Sequence, residues 1–146
     1  MDVLGQIVTN KYIYLPFLTW FCIQLFKVIW DLVTTKKFNF KRIMGAGGMP
    51  SSHSAVVMAL ATLIGKTEGF DSTMFALSII FAFVVMYDAA GVRRAAGKQA
   101  QLLNKLVETP GLTGLQVSEK LVEVLGHTPL QVLVGAIIGI IVGCIF

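Results

Sequence analysis

Long apolar stretches alternate with short polar stretches along this chain. Residues 12–33, 70–90 and 129–146 are three nearly unbroken apolar runs, each close to the roughly 20 residues that a membrane-spanning helix requires. A fourth run, 55–65, reaches spanning length only if its helix begins at Pro50 or Ser51; otherwise it is a short buried or re-entrant helix. The pattern therefore predicts helices over about 12–33, 50–65, 70–90 and 128–146.

Two further segments, 91–105 and 114–125, have the pattern of amphipathic helices. In the first, Arg94, Lys98 and Gln101 recur at the spacing of one helical face, which can contact lipid headgroups or phosphate. The second follows the helix-breaking sequence TPGLTG and is expected to lie along a membrane surface. The predicted fold is an all-α integral membrane protein, a single domain over 1–146, with about four transmembrane helices and one or two short interfacial helices.

Composition and charge support a membrane location. The chain is 55% hydrophobic and 14% charged, with a mean hydropathy of +0.77, whereas about 25% of residues are charged in an average soluble protein. Basic residues are concentrated in 34–42 and 92–105, and the connection 66–71 is mostly acidic. The positive-inside rule then places the basic segments in the cytoplasm. The expected location is the cytoplasmic membrane of a bacterium, and no pattern indicates nucleic-acid binding.

The last apolar run carries a stripe of three glycines, Gly135, Gly139 and Gly143, spaced as GxxxGxxxG. This spacing lets two helices approach closely, either in a homodimer or inside one chain, and the sequence leaves both uses open. Cys22 and Cys144 lie in predicted helices without the spacing of metal ligands, so we expect them to be small apolar core residues. No metal or cofactor is expected.

The segment GGMPSSHSA, residues 47–55, combines glycines, a proline, hydroxyl groups and a histidine between two apolar regions. A proline followed by small hydroxyl residues is typical of a helix start. The free N–H groups of a helix start, together with the helix dipole, also bind phosphate or carboxylate. The segment is therefore either an ordinary cap with a satisfied histidine or an anion site in which His53 exchanges a proton with the ligand.

Polar groups from four parts of the chain are predicted to meet at one side of the membrane. These groups are Lys27 near the end of the first helix, the 47–55 segment, Asp88 with the arginines that follow it, and His127. Because ionisable groups at membrane depth are costly and usually mark function, their convergence favours one polar site.

These residues resemble motifs of the type 2 phosphatidic acid phosphatase superfamily, which is related to the vanadium haloperoxidases. PSSH at 50–53 resembles its PSGH motif, and His127 followed by Gln131 resembles the end of its SRxxxxxHxxxD motif. GGMPSSHSAVV and YDAAGVRRAAGKQAQLLN are closer still to the divergent branch of that superfamily. The resemblance extends from about Gln24 to Gly139.

The resemblance implies a membrane phosphatase that acts on a lipid or polyprenyl phosphate. His127 would be the nucleophile that forms a phosphohistidine, and His53 would protonate the leaving group. Positive groups and donors would hold the phosphate, as phosphoryl transfer requires. The candidates for this role are Arg93, Arg94, Lys27, Lys98, the hydroxyls of Ser51 and Ser52, and the backbone near Gly48.

The chain also departs from the superfamily's motifs. Ser52 replaces the glycine of PSGH, and more than thirty residues separate Arg94 from His127. Gln131 stands where the motif has the aspartate that orients the histidine. An amide fixes a tautomer but does not stabilise positive charge, which Asp88 could supply from another helix. The alternative function is therefore a catalytically degenerate protein that binds or carries a lipid with a phosphate headgroup.

Overall fold

The structure, a computed structural model, describes residues 2–36, 48–109, 121–123 and 126–146. All regular secondary structure in these residues is helical, which confirms the predicted all-α class for the described part of the chain. One short helix and five longer ones follow in the order α1 (Val3–Thr9), α2 (Lys11–Thr35), α3 (Ser52–Glu68), α4 (Thr73–Ala90), α5 (Val92–Glu108) and α6 (Pro129–Ile145).

The helix starts coincide with polar residues in an otherwise apolar sequence. The side chains of Asn10, Ser51, Ser72 and Thr128 each accept a hydrogen bond from a backbone N–H in the first turn of the helix that follows. Such caps satisfy donors that a helix start leaves free. At α6 the cap is reciprocal, because the side chain of Gln131 also accepts a hydrogen bond from the backbone of Thr128.

Helix α3 lies at the centre of the bundle and packs against α2, α4 and α6. Ten of its 17 residues are buried, and most of the ten are small. A helix of this length is about 25 Å long, which is shorter than the roughly 30 Å hydrocarbon layer of a bilayer. The helix that contains the fourth apolar run is buried within the bundle, and it begins at Ser52, one residue after Ser51.

The glycine stripe of α6 faces α3. A Cβ atom at Gly135 would lie 2.3 Å from the carbonyl oxygen of Ser51, and one at Gly139 would lie 2.3 Å from that of Ala55. A Cβ atom at Gly143 would lie 2.6 Å from Cβ of Thr62. Close backbone approach of this kind is how helices associate in lipid, where no hydrophobic force drives them together. Of the two uses that the sequence left open, packing inside the chain is the one that the structure shows.

Within the described residues, two helical stretches are long and apolar enough to cross a membrane. They are Lys11–Thr35 and Thr73–Glu108, the second of which joins α4 and α5. Helix α6 is apolar but shorter. Most large side chains of α4 are exposed, including Leu77, Phe81 and Val84, so they are available to contact lipid.

The two ends of the bundle are joined by different polar contacts. At one end, Tyr12 Oη lies 2.8 Å from Thr67 Oγ1, and Lys66 Nζ donates to the carbonyl of Cys144 at 2.7 Å. At the other end, the N–H of Ser51 donates to the carbonyl of Gln131 at 3.0 Å. We call this second end the site end. The C-termini of α2 and α4 and the N-termini of α3, α5 and α6 lie there.

The amphipathic segments and the cysteines partly differ from expectation. Helix α5 covers Val92–Glu108, a few residues longer than the predicted 91–105. The second predicted segment, 114–125, lies outside the described residues except for Leu121–Glu123, which are not helical. Cys22 and Cys144 are free and exposed, so the expectation that they are core residues was wrong; their helices turn them outward from the bundle.

Candidate phosphate site

The N-terminus of α3 is built by the hydroxyl of Ser51. Ser51 Oγ accepts from the N–H of Ser54 at 3.3 Å and from Ser54 Oγ at 3.0 Å, and the Ser51 side chain is fully buried. Ser51 therefore closes the helix start and contacts α6. The N–H groups of Ser52 and His53 belong to the turn that a helix leaves without internal acceptors, and they are the ones available to an anion.

The chain reaches this helix start through a turn that requires glycine. Gly48 has a φ of +86°, in the left-handed region that residues with a Cβ atom rarely adopt. The turn continues through a cis peptide between Met49 and Pro50. The backbone of Gly48 interacts with the ring of His127, so this turn forms one wall of the site.

His127 is held by its backbone and by its ring. Its N–H donates to the carbonyl of Ala89 at the end of α4, with a distance of 2.9 Å. Its Nδ1 lies 3.3 Å from Oε1 of Gln131. The side chain is only 1% exposed. His127 thus joins the end of α4 to the start of α6 in a fixed orientation.

The hydrogen bonds of Gln131 determine the tautomer of His127. Oε1 of Gln131 already accepts from the N–H of Thr128 at 3.0 Å, which identifies this atom as the amide oxygen because the NH₂ group cannot accept. Nδ1 of His127 must therefore be the donor to the same oxygen. In the neutral ring, Nε2 then carries the lone pair, which is the form that a nucleophile needs.

The two histidines lie side by side at the site end. Their ring centroids are 5.9 Å apart, and the ring planes are inclined by 63°. Nε2 of His127 and Nδ1 of His53 are buried, and neither has a hydrogen-bond partner among the described residues. Because buried polar atoms are nearly always paired, two such atoms in neighbouring rings are the arrangement expected of a site that receives a polar ligand.

Burial lowers the pKa of His127. The hydrogen bond to Gln131 and the backbone of Gly48 oppose this effect, and the charges of Lys27 and His53 add to it. Desolvation disfavours the charged ring and is the largest of these contributions. His127 is therefore neutral over a wider range of pH than an exposed histidine.

A buried cation faces the two histidines from α2. Lys27 is 5% exposed, and its charge acts on both His53 and His127. Gln24, which is also buried, precedes Lys27 by one helical turn on the same face. The positive charge of Lys27 favours an anionic ligand beside the histidines.

The acidic and basic residues near α5 are more exposed than the histidines. Arg93 Nε lies 2.6 Å from Oδ2 of Asp88, with roughly half of the arginine side chain exposed. The charges of both residues act on His53. The sequence suggested that Asp88 could supply negative charge to His127; in the structure its carboxylate is bound to Arg93. Gln131 is therefore the hydrogen-bond partner of Nδ1 of His127.

Arg94 and Lys98, both on α5, differ in their contacts with the segment that contains His127. A Cβ atom at Gly126 would lie 2.3 Å from the backbone nitrogen of Arg94, so the residue before His127 packs directly on the start of α5. Arg94 is exposed there, and Lys98 is exposed one turn later. No contact in the described part of the chain joins Lys98 to the histidines.

Three residues that the sequence did not single out are buried or closely packed in the structure. Gln24 is one of them, and the sequence indicates it only as a polar residue three positions before Lys27 in an apolar run. Gly126 is the second, since it permits the contact with Arg94. The third is Asn104, whose side chain donates to the carbonyl of Leu121 at 2.9 Å and accepts from its N–H at 3.0 Å. No local pattern indicates that long-range pair.

The chain is similar to known proteins over almost its whole length. Residues 8–142 match the profile of the Divergent PAP2 family. A Bacillus subtilis protein, "Uncharacterized membrane protein YuiD", is 41% identical over 129 residues, which are 81% of this chain and 82% of that protein. No solved structure matches the chain significantly. The relative and the apolar helices together support a membrane location for this chain.

Proposed function

Since this chain belongs to the Divergent PAP2 family, we propose that it is a membrane phosphatase that hydrolyses a lipid or polyprenyl phosphate through a phosphohistidine. The pairing of His53 with His127 carries this proposal. Their ring centroids are 5.9 Å apart, and the tautomer set by Gln131 leaves the buried Nε2 of His127 with a lone pair and no partner among the described residues.

Several groups at the site end suit a phosphate head. The N–H groups of Ser52 and His53 open the first turn of α3 and have the positive end of the helix dipole behind them. Lys27 provides a buried positive charge. Arg93 is already held toward this region by Asp88 and can exchange that carboxylate for phosphate oxygens. We assign binding of the head to these groups.

The first chemical step transfers the phosphoryl group to His127. The lone pair on Nε2 attacks phosphorus, and the bond between phosphorus and the ester oxygen breaks. His53, protonated in the complex, gives its proton to that oxygen, so the alcohol or lipid leaves as a neutral molecule. The negative charge of the bound phosphate favours the protonated form of His53.

The second step releases phosphate and restores the enzyme. Neutral His53 accepts a proton from water as the water oxygen attacks phosphorus. The bond between nitrogen and phosphorus breaks, and the electron pair returns to Nε2 of His127. Throughout the cycle, Gln131 accepts from Nδ1 and keeps the ring in one orientation.

A second function has one observation in its favour. Gln131 accepts from Nδ1 of His127 at 3.3 Å, but a neutral amide does not stabilise the positive charge that develops on the ring when Nε2 bonds to phosphorus. A site with this partner can hold a phosphate head and turn it over slowly or not at all. The alternative is therefore a membrane protein that binds or carries a phosphate lipid.

Phosphate release by the purified protein in detergent separates the two functions. The substrates are phosphatidate, phosphatidylglycerol phosphate, and polyprenyl phosphate and diphosphate, each assayed with the wild type and with His127→Ala. The phosphatase account predicts release from at least one lipid and its loss in His127→Ala. Binding of the same lipids without release, by protein shown to be folded, would establish the binder.

A comparison of substrates with poor and good leaving groups tests the role of His53 as general acid. Alkyl phosphates need protonation of the departing oxygen, whereas p-nitrophenyl phosphate has a leaving group that departs without it. We expect His53→Ala to lower kcat/KM by about a hundredfold or more for the lipid and by far less for the nitrophenyl ester. Lys105→Ala, a change at an exposed position near the other end of α5, is the control. An equal loss of activity on both substrates would contradict a general-acid role for His53.

We further propose that the site faces the cytoplasm in the cytoplasmic membrane of a bacterium. The basis is the positive-inside rule applied to the basic residues at the site end. A single cysteine at Lys98, in a protein whose own cysteines are replaced by serine, tests the orientation. It should resist an impermeant maleimide in intact cells and react after the cells are opened. Reaction in intact cells would reverse the orientation.

A further inference from the structure

An apolar groove runs along the outside of the bundle between α2 and α6 and ends at the candidate site. Its volume is about 490 Å³, within the range of roughly 300–1,000 Å³ that ligand pockets have. The residues that line it are Cys22, Ile23, Phe26, Trp30, Met49, Pro50, Val134 and Ile138. None of these side chains carries a charge, so the groove suits an apolar ligand.

The packing of the bundle explains why the groove exists. Helices α2 and α6 both pack against α3, and among the described residues they make no extensive contact with each other. The space between them is closed at the site end by the turn that contains Met49 and Pro50. It is open sideways, where Phe26 is 51% exposed and Trp30 is 62% exposed. A ligand can therefore enter from the bilayer.

The groove lies directly beside the histidine site, because residues that line the groove are neighbours in the chain of residues that build the site. Pro50 lines the groove and precedes Ser51, which caps α3 and donates to the carbonyl of Gln131. Val134 lines the groove one turn after Gln131, the partner of His127. From Trp30 to Cys22 the groove follows eight residues of α2, which corresponds to about 12 Å along the helix axis. It thus leads from the site toward the middle of the membrane.

We propose that this groove holds the hydrocarbon chain of a lipid phosphate while the phosphate head lies between His53 and His127. This inference rests on the proposed function for the position of the head. It adds the place where the hydrocarbon chain of the substrate binds, beside α2 and α6. A water-soluble phosphate lacks that chain and leaves the groove without its ligand.

The groove positions the lipid more than it increases the affinity of the protein for it. A lipid chain leaves an equally apolar bilayer when it enters, so little hydrophobic energy is gained. The chain instead fixes where the head lies, and a displacement of about 1 Å at a reacting centre can cost on the order of a hundredfold in rate. Blocking the groove should therefore reduce kcat/KM for lipids and spare small phosphates.

The first test fills the groove. Ile138 lines it, whereas its neighbour Ile137 does not and is 47% exposed. Ile138→Trp should lower kcat/KM for a long-chain lipid phosphate by about tenfold or more and leave p-nitrophenyl phosphate hydrolysis near that of the wild type. Ile137→Trp makes the same change outside the groove and should alter neither. Unchanged lipid hydrolysis in Ile138→Trp, or equal loss on both substrates, would overturn the proposal.

The second test needs no catalysis and so separates failure of the groove from failure of the phosphatase. Cys22 lines the groove and is exposed at the surface of the bundle; Cys144 is replaced by serine, and the alkylating reagent is an apolar maleimide. Polyprenyl phosphate or phosphatidate, at ten times its Kd, should slow alkylation of Cys22 by about tenfold, and which lipid protects identifies the chain. The dephosphorylated lipids should protect less. If neither phosphate lipid protects Cys22, the groove is not the chain site, whether or not the protein is a phosphatase.

Discussion

The substitution Gly135→Ala should separate the helices that hold the two histidines. Gly135 of α6 packs against the cap of α3, and an added Cβ atom would lie 2.3 Å from the carbonyl oxygen of Ser51. That oxygen belongs to rigid backbone, which cannot move aside as a flexible side chain can. The start of α6, with Gln131, must therefore shift away from the start of α3, with His53.

The size of the shift follows from the contact distance. Ordinary van der Waals contact for a Cβ atom begins near 3.4 Å, so the two backbones must separate by about 1 Å. Overpacking of this kind destabilises a protein by about 1–3 kcal/mol. A displacement of about 1 Å between reacting groups can cost on the order of a hundredfold in rate. Turnover per folded molecule should therefore fall by about a hundredfold, while a stability loss of this size leaves most of the molecules folded.

Gly143→Ala is the matched control at the opposite end of the same contact. Its Cβ atom would lie 2.6 Å from Cβ of Thr62, so the variant should lose comparable stability without moving the histidines. Phosphate release per folded molecule and the melting temperature in detergent are measured for both variants. Wild-type turnover in Gly135→Ala, or equal loss of turnover in both variants, would refute the claim that this glycine sets the spacing of the histidines.

Three further predictions concern residues around the same site. Burial holds the pKa of His127 below its ordinary value, so the acid limb of the wild-type kcat/KM profile should lie below about pH 6.5. In Gln131→Glu the carboxylate raises that pKa, and the acid limb should move to higher pH. Gly48→Ala places a Cβ atom at a φ of +86° and should lower stability by about 1–2 kcal/mol, measured as melting temperature, with Gly48→Asn milder. Asn104→Leu leaves the backbone of Leu121 without its amide partner and should cost about 1–3 kcal/mol; a melting temperature equal to that of the wild type would show that this pair does not hold the loop before His127.

The helices were largely predictable because their signals are local. The apolar runs are long, and the polar residues at their ends are good caps, such as Ser72 before α4 and Thr128 before α6. The central place of α3 was harder to predict. Its small residues make it look like the weakest of the apolar runs, yet their small size is what lets three helices pack against it. That property is visible only when the neighbours are known.

The convergence of the candidate residues at one end of the bundle was predictable from the sequence, but their contacts were not. His53, His127 and Lys27 lie near helix ends that the topology brings to one end of the bundle, and the structure shows them there. Ser51 was expected to contact phosphate through its hydroxyl, but in the structure that hydroxyl caps the helix. The orientation of the Gln131 amide depends on the N–H of Thr128, a local bond that sequence reasoning did not use.

Trapping of the phosphohistidine shows whether His127 is the nucleophile. The purified protein is mixed with a lipid phosphate that carries radiolabelled phosphorus and is stopped within the first turnover. The account predicts protein-bound label that is stable to alkali, labile to acid, located on the peptide that contains His127, and absent from His127→Ala. His53→Ala should retain label when the leaving group is good. Phosphate released by the wild type with no label on His127 at any time would contradict the account.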